Sequence, residues 1–280
     1  MPPHLQEDHA TATVIRPAGG WTSLGLSDLV AYKDLLMFLV WRDVKVRYQQ
    51  TVLGALWAVI QPLLIMAIFS VVFGRLIAVP SNGAPYPLFC FAGLVIWMLF
   101  IQGVTAAASS VVTNHELVQK VYFPRLIMPV SAILVGLVDF AVAMLFLIGL
   151  MLFYGVAPAP QCLMIVPFVL LAIAAATGVG AILAALNVHF RDIRHITPFL
   201  AQIWLFATPV AYPVSLVPEG WRALAGLNPM AGIVEGFRWA LLGGGADFKL
   251  ILVSALVSIL LLLAGLSLFR HMESSFADVI

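Results

Sequence analysis

Long apolar runs, separated by short polar segments, dominate this sequence from about residue 52 onward. Uncharged intervals of 20 or more residues lie at 48–74, 76–115, 140–190, 195–218 and 250–269. A helix needs roughly 20 apolar residues to cross about 30 Å of hydrocarbon. Gly155, Pro158 and Pro160 divide the longest interval into two. The pattern predicts six membrane-spanning helices, at residues 52–78, 86–112, 126–153, 162–188, 197–213 and 248–269.

A different pattern precedes the first predicted span, at residues 28–50. Charged residues interrupt this segment, so it cannot be a span, yet its apolar residues recur at helical spacing. They are Leu29, Leu36, Leu39, Val40, Val44 and Tyr48, with Trp41 at the margin of the stripe. This arrangement is typical of an amphipathic helix that lies in the membrane interface. Two roles remain open for it: a plain anchor, or a working gate or docking element.

Residues 114–124 form a polar connection between the second and third predicted spans. The segment is compatible with a short helix, which Pro124 ends because proline has no backbone N–H to donate. A turn of this length needs no helix merely to reverse the chain. The segment is therefore either an interaction surface or a solvated turn that carries Glu116 and Lys120.

Residues 214–248 predict a pair of short helices between the last two spans. Asn228 and Pro229 form a helix start, with Asn as the cap, and Gly243 begins a stop. The helix between them would be about 21 Å long, too short to cross a bilayer. A second helix at 219–227 completes a re-entrant pair, which is tolerated where protein or water surrounds it. Glu235 and Arg238, three residues apart, are expected to pair.

Asp139 is the one acidic residue placed well inside a predicted span. An ionisable group at that depth is a functional candidate, because it is costly in hydrocarbon. It either hydrogen-bonds to a neighbouring helix or lines a pore or gate. A proton relay is disfavoured, since the other spans offer no second titratable group.

Composition and charge fix the class of protein and its orientation. Hydrophobic residues make up 62% of the chain and charged residues 10%, against about 25% charged in soluble domains. With both termini inside, the cytoplasmic segments hold ten of the 14 lysines and arginines, as the positive-inside rule requires. The net charge of +1 does not indicate nucleic acid. The first 20 residues contain no apolar run, so no cleavable signal peptide is expected, and residues 1–27 are predicted to be a disordered or flexible tail before a single membrane domain, 28–280.

Several kinds of chemistry are missing from the sequence. A nucleotide-binding P-loop needs Gly directly before its Lys, whereas the lysines here follow Tyr32, Val44, Gln119 and Phe248. No trio for covalent catalysis sits together, and there are too few intramembrane charges for an ion-coupled carrier. His189 and His195 lie beside arginines, which disfavours a metal site. The chain is therefore expected to be no enzyme and to hold no metal or cofactor.

Specific segments carry a family resemblance that extends over residues 30–280. They are LLMFLVWRDVKVRYQQTVLGALWAVIQPLL (35–64), FAGLVIW (91–97), KVYFPRL (120–126), ALNVHFRDIRH (185–195), FATPVAYP (206–213), NPMAGIVEGFRWALLG (228–243) and FADVI (276–280). In this order they resemble the permease subunits of ATP-binding-cassette exporters for polysaccharides, O antigens, capsules and teichoic acids. The resemblance implies a channel subunit in the bacterial inner membrane that pairs with a second copy of itself and with two separate ATPase subunits. ATP and Mg²⁺ would bind to those partners.

The resemblance also implies roles for particular residues. A lipid-diphosphate-linked glycan would meet cations at the inner headgroup level, at Arg42, Lys45 and Arg47. The ATPase would contact His115, Glu116, Gln119, Lys120, Arg191 and Arg194. The pore or outer gate would involve Asp139, Asn228, Pro229, Met230, Glu235 and Arg238.

The substrate and the class of protein each have alternatives. We expect O antigen on undecaprenyl diphosphate, while a capsular polysaccharide or teichoic acid is the alternative within the family. From other classes, a membrane-embedded lipid-sugar transferase should cluster acids and histidines at one interface, which this chain does not do. A carrier should transport without an ATPase.

Overall fold

The computed structural model describes residues 26–49, 56–81 and 83–276, and this part of the chain is helical. The α-helices are α1 (Leu26–Ala31), α2 (Lys33–Gln49), α3 (Trp57–Phe69), α4 (Tyr86–Thr113), α5 (His115–Lys120), α6 (Ile127–Phe153), α7 (Ile165–His189), α8 (Ile193–Ala207), α9 (Glu219–Gly226), α10 (Pro229–Leu242) and α11 (Phe248–Glu273). The predicted all-helical class is confirmed. Residues 1–25, most of the predicted N-terminal tail, lie outside the described residues.

Five helices in the described part of the chain are long and apolar enough to cross a membrane. They are Trp57–Leu76, Tyr86–Thr113, Ile127–Phe153, Cys162–His189 and Phe248–Glu273. The first consists of α3 and a π-helix, Ser70–Leu76, and the fourth begins with a 3₁₀ turn before α7. Their positions agree with five of the six predicted spans to within a few residues. The predicted start of the first span, at residues 52–55, lies outside the described residues.

The predicted fifth span, at residues 197–213, differs from the helix at that position. Helix α8 has 15 residues and ends at Ala207. It is about 22 Å long at 1.5 Å per residue, which falls short of the roughly 30 Å of a hydrocarbon core. The helix ends here because Pro209 disfavours helical backbone at Thr208, whose ψ is 137°. A sixth crossing therefore stays a prediction.

Helix α4 is the centre of the bundle. In the most apolar window of α4, 78% of the residues are buried, compared with 11% in Trp57–Leu76 and 28% in α6. Helices α3, α6, α7, α8 and α10 all pack against α4. The outer helices therefore turn largely apolar faces outward, as a protein surrounded by lipid requires.

A second apolar cluster closes one end of the bundle. It joins α2 and α5 to the end of α11, through Leu39, Val118, Phe269 and Phe276. The Asn187 side chain of α7 donates a hydrogen bond to the Ala108 carbonyl of α4 at 2.8 Å, so these two helices end at the same level. This end holds the segments that were predicted to be cytoplasmic, and we call it the α5 end.

The predicted interfacial helix is divided at Tyr32 into α1 and α2. Its predicted apolar stripe faces the protein: Leu39 is buried, and Leu36, Val40 and Val44 are half-buried. A second group of apolar residues on α2 points away from the bundle. Met37, Phe38 and Trp41 have exposed fractions of 62%, 62% and 69%. Helix α2 thus presents apolar surface both to the bundle and to its surroundings.

Candidate functional sites at the two ends of the bundle

Asp139 of α6 connects the interfacial helix to the bundle. Its Oδ2 lies 2.7 Å from Arg47 Nη1, and its Oδ1 accepts a hydrogen bond from the Tyr48 hydroxyl. Partial burial, together with this hydrogen bond, raises the pKa of Tyr48 well above its ordinary value of 10, so the phenol remains a donor. Asp139 is therefore engaged by two consecutive residues of α2. The predicted pore or gate role of Asp139 stays a prediction.

Arg42 makes a second connection from α2, to the junction between α4 and α5. Its Nη2 lies 2.7 Å from Asp43 Oδ1 and donates to Asn114 Oδ1 at 3.0 Å. Asn114 in turn donates to the Ser110 carbonyl at 2.8 Å, which fixes its orientation. Arg42 is therefore held in place by protein groups.

Lys45 differs from the other two predicted phosphate contacts. Its side chain is exposed, and it makes no hydrogen bond or ion pair within the described part of the chain. Arg47 is intermediate, since it is paired with Asp139 while 45% of its side chain remains exposed. The structure thus places the three cations on one helix but leaves them unequally available to a ligand.

The predicted ATPase contacts all lie exposed at the α5 end. On α5, Lys120 and Glu116 form an ion pair of 3.1 Å, with both side chains 71% exposed. The other predicted contacts, also exposed, are His115, Gln119, Arg191 and Arg194. They belong to the two connections that follow α4 and α7, whose ends lie at the same level.

A polar network near the C-terminus was missed by the sequence analysis. The backbone N–H of Arg125 donates to Glu273 Oε1 at 2.9 Å, and the Arg125 guanidinium donates to the Glu273 carbonyl. Arg270 pairs with the same carboxylate at 3.0 Å. Ser275 Oγ lies 3.1 Å from His189 Nε2. This network ties the connection after α5 and the end of α7 to the end of α11.

Asn228 caps α10, as predicted, and also binds the segment that follows α8. Its Oδ1 accepts from the backbone N–H of Met230 at 3.0 Å and from Trp204 Nε1 at 2.9 Å. Its Nδ2 donates to Thr208 Oγ1 at 2.9 Å and to the Ala207 carbonyl at 3.2 Å. One amide side chain therefore fixes both the start of α10 and the end of α8.

Arg238 is only 4% exposed, yet it is satisfied by backbone oxygens. Its Nε donates to Phe89 O at 3.0 Å, its Nη1 to Pro209 O at 2.7 Å, and its Nη2 to Val210 O. The guanidinium carbon also lies 3.6 Å from the centroid of the Phe89 ring. Carbonyls in the irregular segment after α8 have no helical partner, so the arginine supplies the donors they need.

The expected ion pair between Glu235 and Arg238 is therefore wrong. No salt bridge joins these two side chains, both of which lie in the described part of the chain. The sequence placed them on one helical face, but the three carbonyls bind the guanidinium more completely than one carboxylate would. Only the folded chain brings these carbonyls to the arginine.

Helix α10 is enclosed by three other helices. The backbone N–H of Gly232 donates to Ser254 Oγ of α11 at 3.0 Å, and an added Cβ there would lie 2.7 Å from Ser254 Cβ. A Cβ at Gly236 would overlap the Phe168 ring of α7. Pro229 and Met230 are buried, so in this conformation they do not face a water-filled path. In α9, by contrast, Trp221 and Leu224 are 65% and 55% exposed.

Glu235 faces a cavity of about 220 Å³ at the end of the bundle opposite α5. The lining residues are Ser81, Gly83, Ala84, Phe89, Val156, Glu235, Arg238, Trp239, Leu242, Gly243, Gly244 and Gly245. The Glu235 side chain is buried, with the residue 7% exposed. Within the described part of the chain, no group donates a hydrogen bond to it.

Comparison with known proteins gives one family and several relatives. Residues 34–242 match the family model described as ABC-2 type transporter. The chain is 33% identical to the O-antigen export system permease protein RfbA of Myxococcus xanthus, over 90% of this chain and 98% of that protein. It is 27% identical to a protein of the same name from Klebsiella pneumoniae, over 88% and 95%. It is 23% identical to the polysialic acid transport protein KpsM of Escherichia coli, over 84% and 92%.

Proposed function

Since this chain belongs to the ABC-2 type transporter family, we propose that it forms the membrane channel of an exporter for a lipid-linked polysaccharide, with O antigen as the substrate. It is a transporter permease of the multi-pass membrane type. The observation that carries the proposal is the 33% identity, over 90% of this chain, to a relative named as an O-antigen export permease. We place it in the bacterial inner membrane with both termini in the cytoplasm.

The energy for export comes from a separate subunit in this proposal. No lysine of the chain follows a glycine, so the chain contains no P-loop. We propose that two copies of the chain assemble with two ATPase subunits, which bind ATP and Mg²⁺. An ATPase contact at the α5 end is supported by an exposed polar group, which consists of His115, Glu116, Gln119, Lys120, Arg191 and Arg194.

The lipid-linked substrate enters beside α2 in this proposal. Met37, Phe38 and Trp41 expose apolar surface on the helix that also carries the three cations. A diphosphate at the inner headgroup level is attracted to these cations. Lys45 is the most available of them, and Arg47 becomes available when a phosphate replaces Asp139 as its partner.

The outer gate involves the pair α9 and α10. We propose that α10, with Asn228, Pro229, Met230, Glu235 and Arg238, is the fixed part, because it is buried and bound on three sides. Helix α9 is the part that moves, since its large apolar side chains Trp221 and Leu224 are exposed and it packs chiefly against α11.

The test is to copurify the tagged chain with the product of a neighbouring gene that encodes GxxxxGK[ST]. ATPase activity in lipid nanodiscs and export of lipid-linked O polysaccharide in cells are then measured. A 2:2 complex that hydrolyses ATP and restores export in a deletion strain supports the proposal. Transport by the chain alone would favour a carrier, and sugar transfer without transport would favour a transferase.

Capsular polysaccharide is the second candidate substrate, because the chain is also similar to KpsM. That similarity is lower, at 23% identity compared with 33%. Complementation of an O-antigen export mutant and of a capsule export mutant by the same plasmid decides between the two substrates.

A further inference from the structure

We propose that the cavity beside Glu235 binds a single neutral sugar ring through the Glu235 carboxyl group. The choice of a sugar rests on the proposed function, since an exported glycan would supply such rings at this end of the bundle. The site is distinct from the cations of α2, which lie at the α5 end.

The Glu235 side chain is available to a ligand. It is 7% exposed and, among the described residues, has no hydrogen-bond donor, although it lines an open cavity. The carboxylate oxygens are not among the fully buried side-chain atoms that lack a partner in the described residues, because they open onto the cavity, where a ligand that supplies donors can reach them. Two adjacent hydroxyl groups of a sugar can donate to the two carboxylate oxygens. A protonated carboxyl group would still accept one hydrogen bond and donate another.

One wall of the cavity is aromatic. Trp239 provides apolar ring surface, and its ring is fixed by an edge-on contact to Phe248 at 5.3 Å. Aromatic rings of this kind combine apolar surface with a fixed orientation, which suits the C–H face of a sugar. Gly83, Gly244 and Gly245 line the cavity and are exposed, so these three positions offer no side chain that would obstruct a ligand.

The size and charge of the cavity also suit a single neutral ring. At about 220 Å³ the cavity is smaller than the roughly 300–1,000 Å³ of pockets for drug-sized ligands, which fits one ring. A cation is disfavoured, because the Arg238 guanidinium also lines the cavity. In the described residues no three His, Cys, Asp or Glu side chains are grouped to hold a metal ion.

The experiment measures sugar binding to the complete transporter complex in nanodiscs by saturation-transfer NMR. The probes are methyl α-glucoside, methyl β-galactoside and methyl α-rhamnoside, with ethylammonium and Ca²⁺ as cationic competitors. At least one glycoside should bind, with a dissociation constant on the order of millimolar. Glu235→Leu should weaken binding about tenfold or more, while Glu235→Gln, which keeps a carbonyl acceptor, should weaken it less.

A second variant fills the cavity without touching Glu235. An added Cβ at Gly245 would meet no atom within 4 Å, so Gly245→Phe is compatible with the fold and should abolish binding. Gly149→Phe is the control, because Gly149 on α6 has equally open surroundings and does not line the cavity. The proposal is overturned if no glycoside binds, if binding survives Gly245→Phe, or if the cations compete for the site.

The same preparations separate this proposal from the proposed function. If the wild-type complex exports O polysaccharide but binds no glycoside, the cavity site is wrong and the exporter stands. If it exports no glycan but binds a glycoside that Gly245→Phe abolishes, the exporter proposal is wrong and the cavity still binds a sugar, whose source is then other than an exported chain.

Discussion

Helices α2 and α10 are similar in length, at 17 and 14 residues, and each carries functional candidates, yet they are held in different ways. In α2 the only buried residue is Leu39, and its charged groups pair through partly exposed contacts to Asp139 and Asn114. In α10, 12 of the 14 residues are buried, and Arg238 is bound by three carbonyls. Exposed pairs contribute little stability, whereas a buried charge that loses its partners is very costly. We therefore expect α10 to be held firmly in the bundle, whereas the polar partners of α2 can be replaced at little cost in stability.

The largest effect should come from removing the Arg238 guanidinium. Arg238→Met removes the guanidinium donor from three buried carbonyls, two of which, at Pro209 and Val210, lie outside any helix, and we expect a loss of about 3 kcal/mol or more in unfolding free energy. Thermal unfolding in detergent, followed by circular dichroism, measures it. Arg194→Met is the control, since that side chain is exposed, and should change stability by about 0.5 kcal/mol or less. Equal stability of the two variants would contradict the comparison.

The next effect should come from Asn228. Asn228→Ala removes the cap of α10 and the hydrogen bonds to Trp204 and Thr208, so we expect a loss of about 2 kcal/mol. Thr208→Ala is the matched comparison, because it removes one of these partners and should cost about half as much. The same unfolding measurement applies, and a larger loss for Thr208→Ala would show that Asn228 is not the organising residue.

On α2, the Arg47–Asp139 pair should matter less. A double-mutant cycle with Arg47→Gln and Asp139→Asn should give a coupling of about 1 kcal/mol or less, because Arg47 is 45% exposed. The cycle is measured by unfolding in detergent. A coupling as large as the loss in Arg238→Met would mean that α2 is fixed as firmly as α10.

Replacing Lys45 should change the stability least and should nevertheless reduce export. Lys45→Gln should leave unfolding within about 0.5 kcal/mol of the wild type, since no described group pairs with the side chain. Export of lipid-linked glycan should nevertheless fall, because a diphosphate contact is lost. Lys33→Gln, at the first residue of α2, is the control on the same helix. Unchanged export in Lys45→Gln would remove Lys45 from the substrate path.

The regular helices could be predicted because their signal is local. The bounds of α10, Pro229–Leu242, follow from the Asn-Pro start and the glycine stop, and the apolar stripe of α2 follows from helical spacing. The end of α8 was placed six residues too late, because the run through Pro213 is apolar, although the helix stops before Pro209. Apolarity alone does not distinguish a spanning helix from an irregular apolar segment.

The partners of the polar side chains depended on contacts between distant residues. Arg238 lies within one turn of Glu235 in sequence but binds Phe89, whose carbonyl is 149 positions away. Likewise, Asp139 could be identified as a candidate by its depth, while its partners Arg47 and Tyr48 belong to another helix. Glu273 and Arg125 carried no local pattern that would have shown their contact.

The sequence by itself determined that this chain is a helical membrane protein, where its long helices lie and to which family it belongs, since hydrophobicity, periodicity and motifs are read along the chain. Only the tertiary structure decided which cationic side chains of α2 have protein partners, that Arg238 is bound by carbonyls and that Glu235 faces a cavity. The physical reason is that a buried polar group takes whichever donor or acceptor the packed helices bring to it. These partners come from distant parts of the chain, so the spacing of residues along the sequence does not show them.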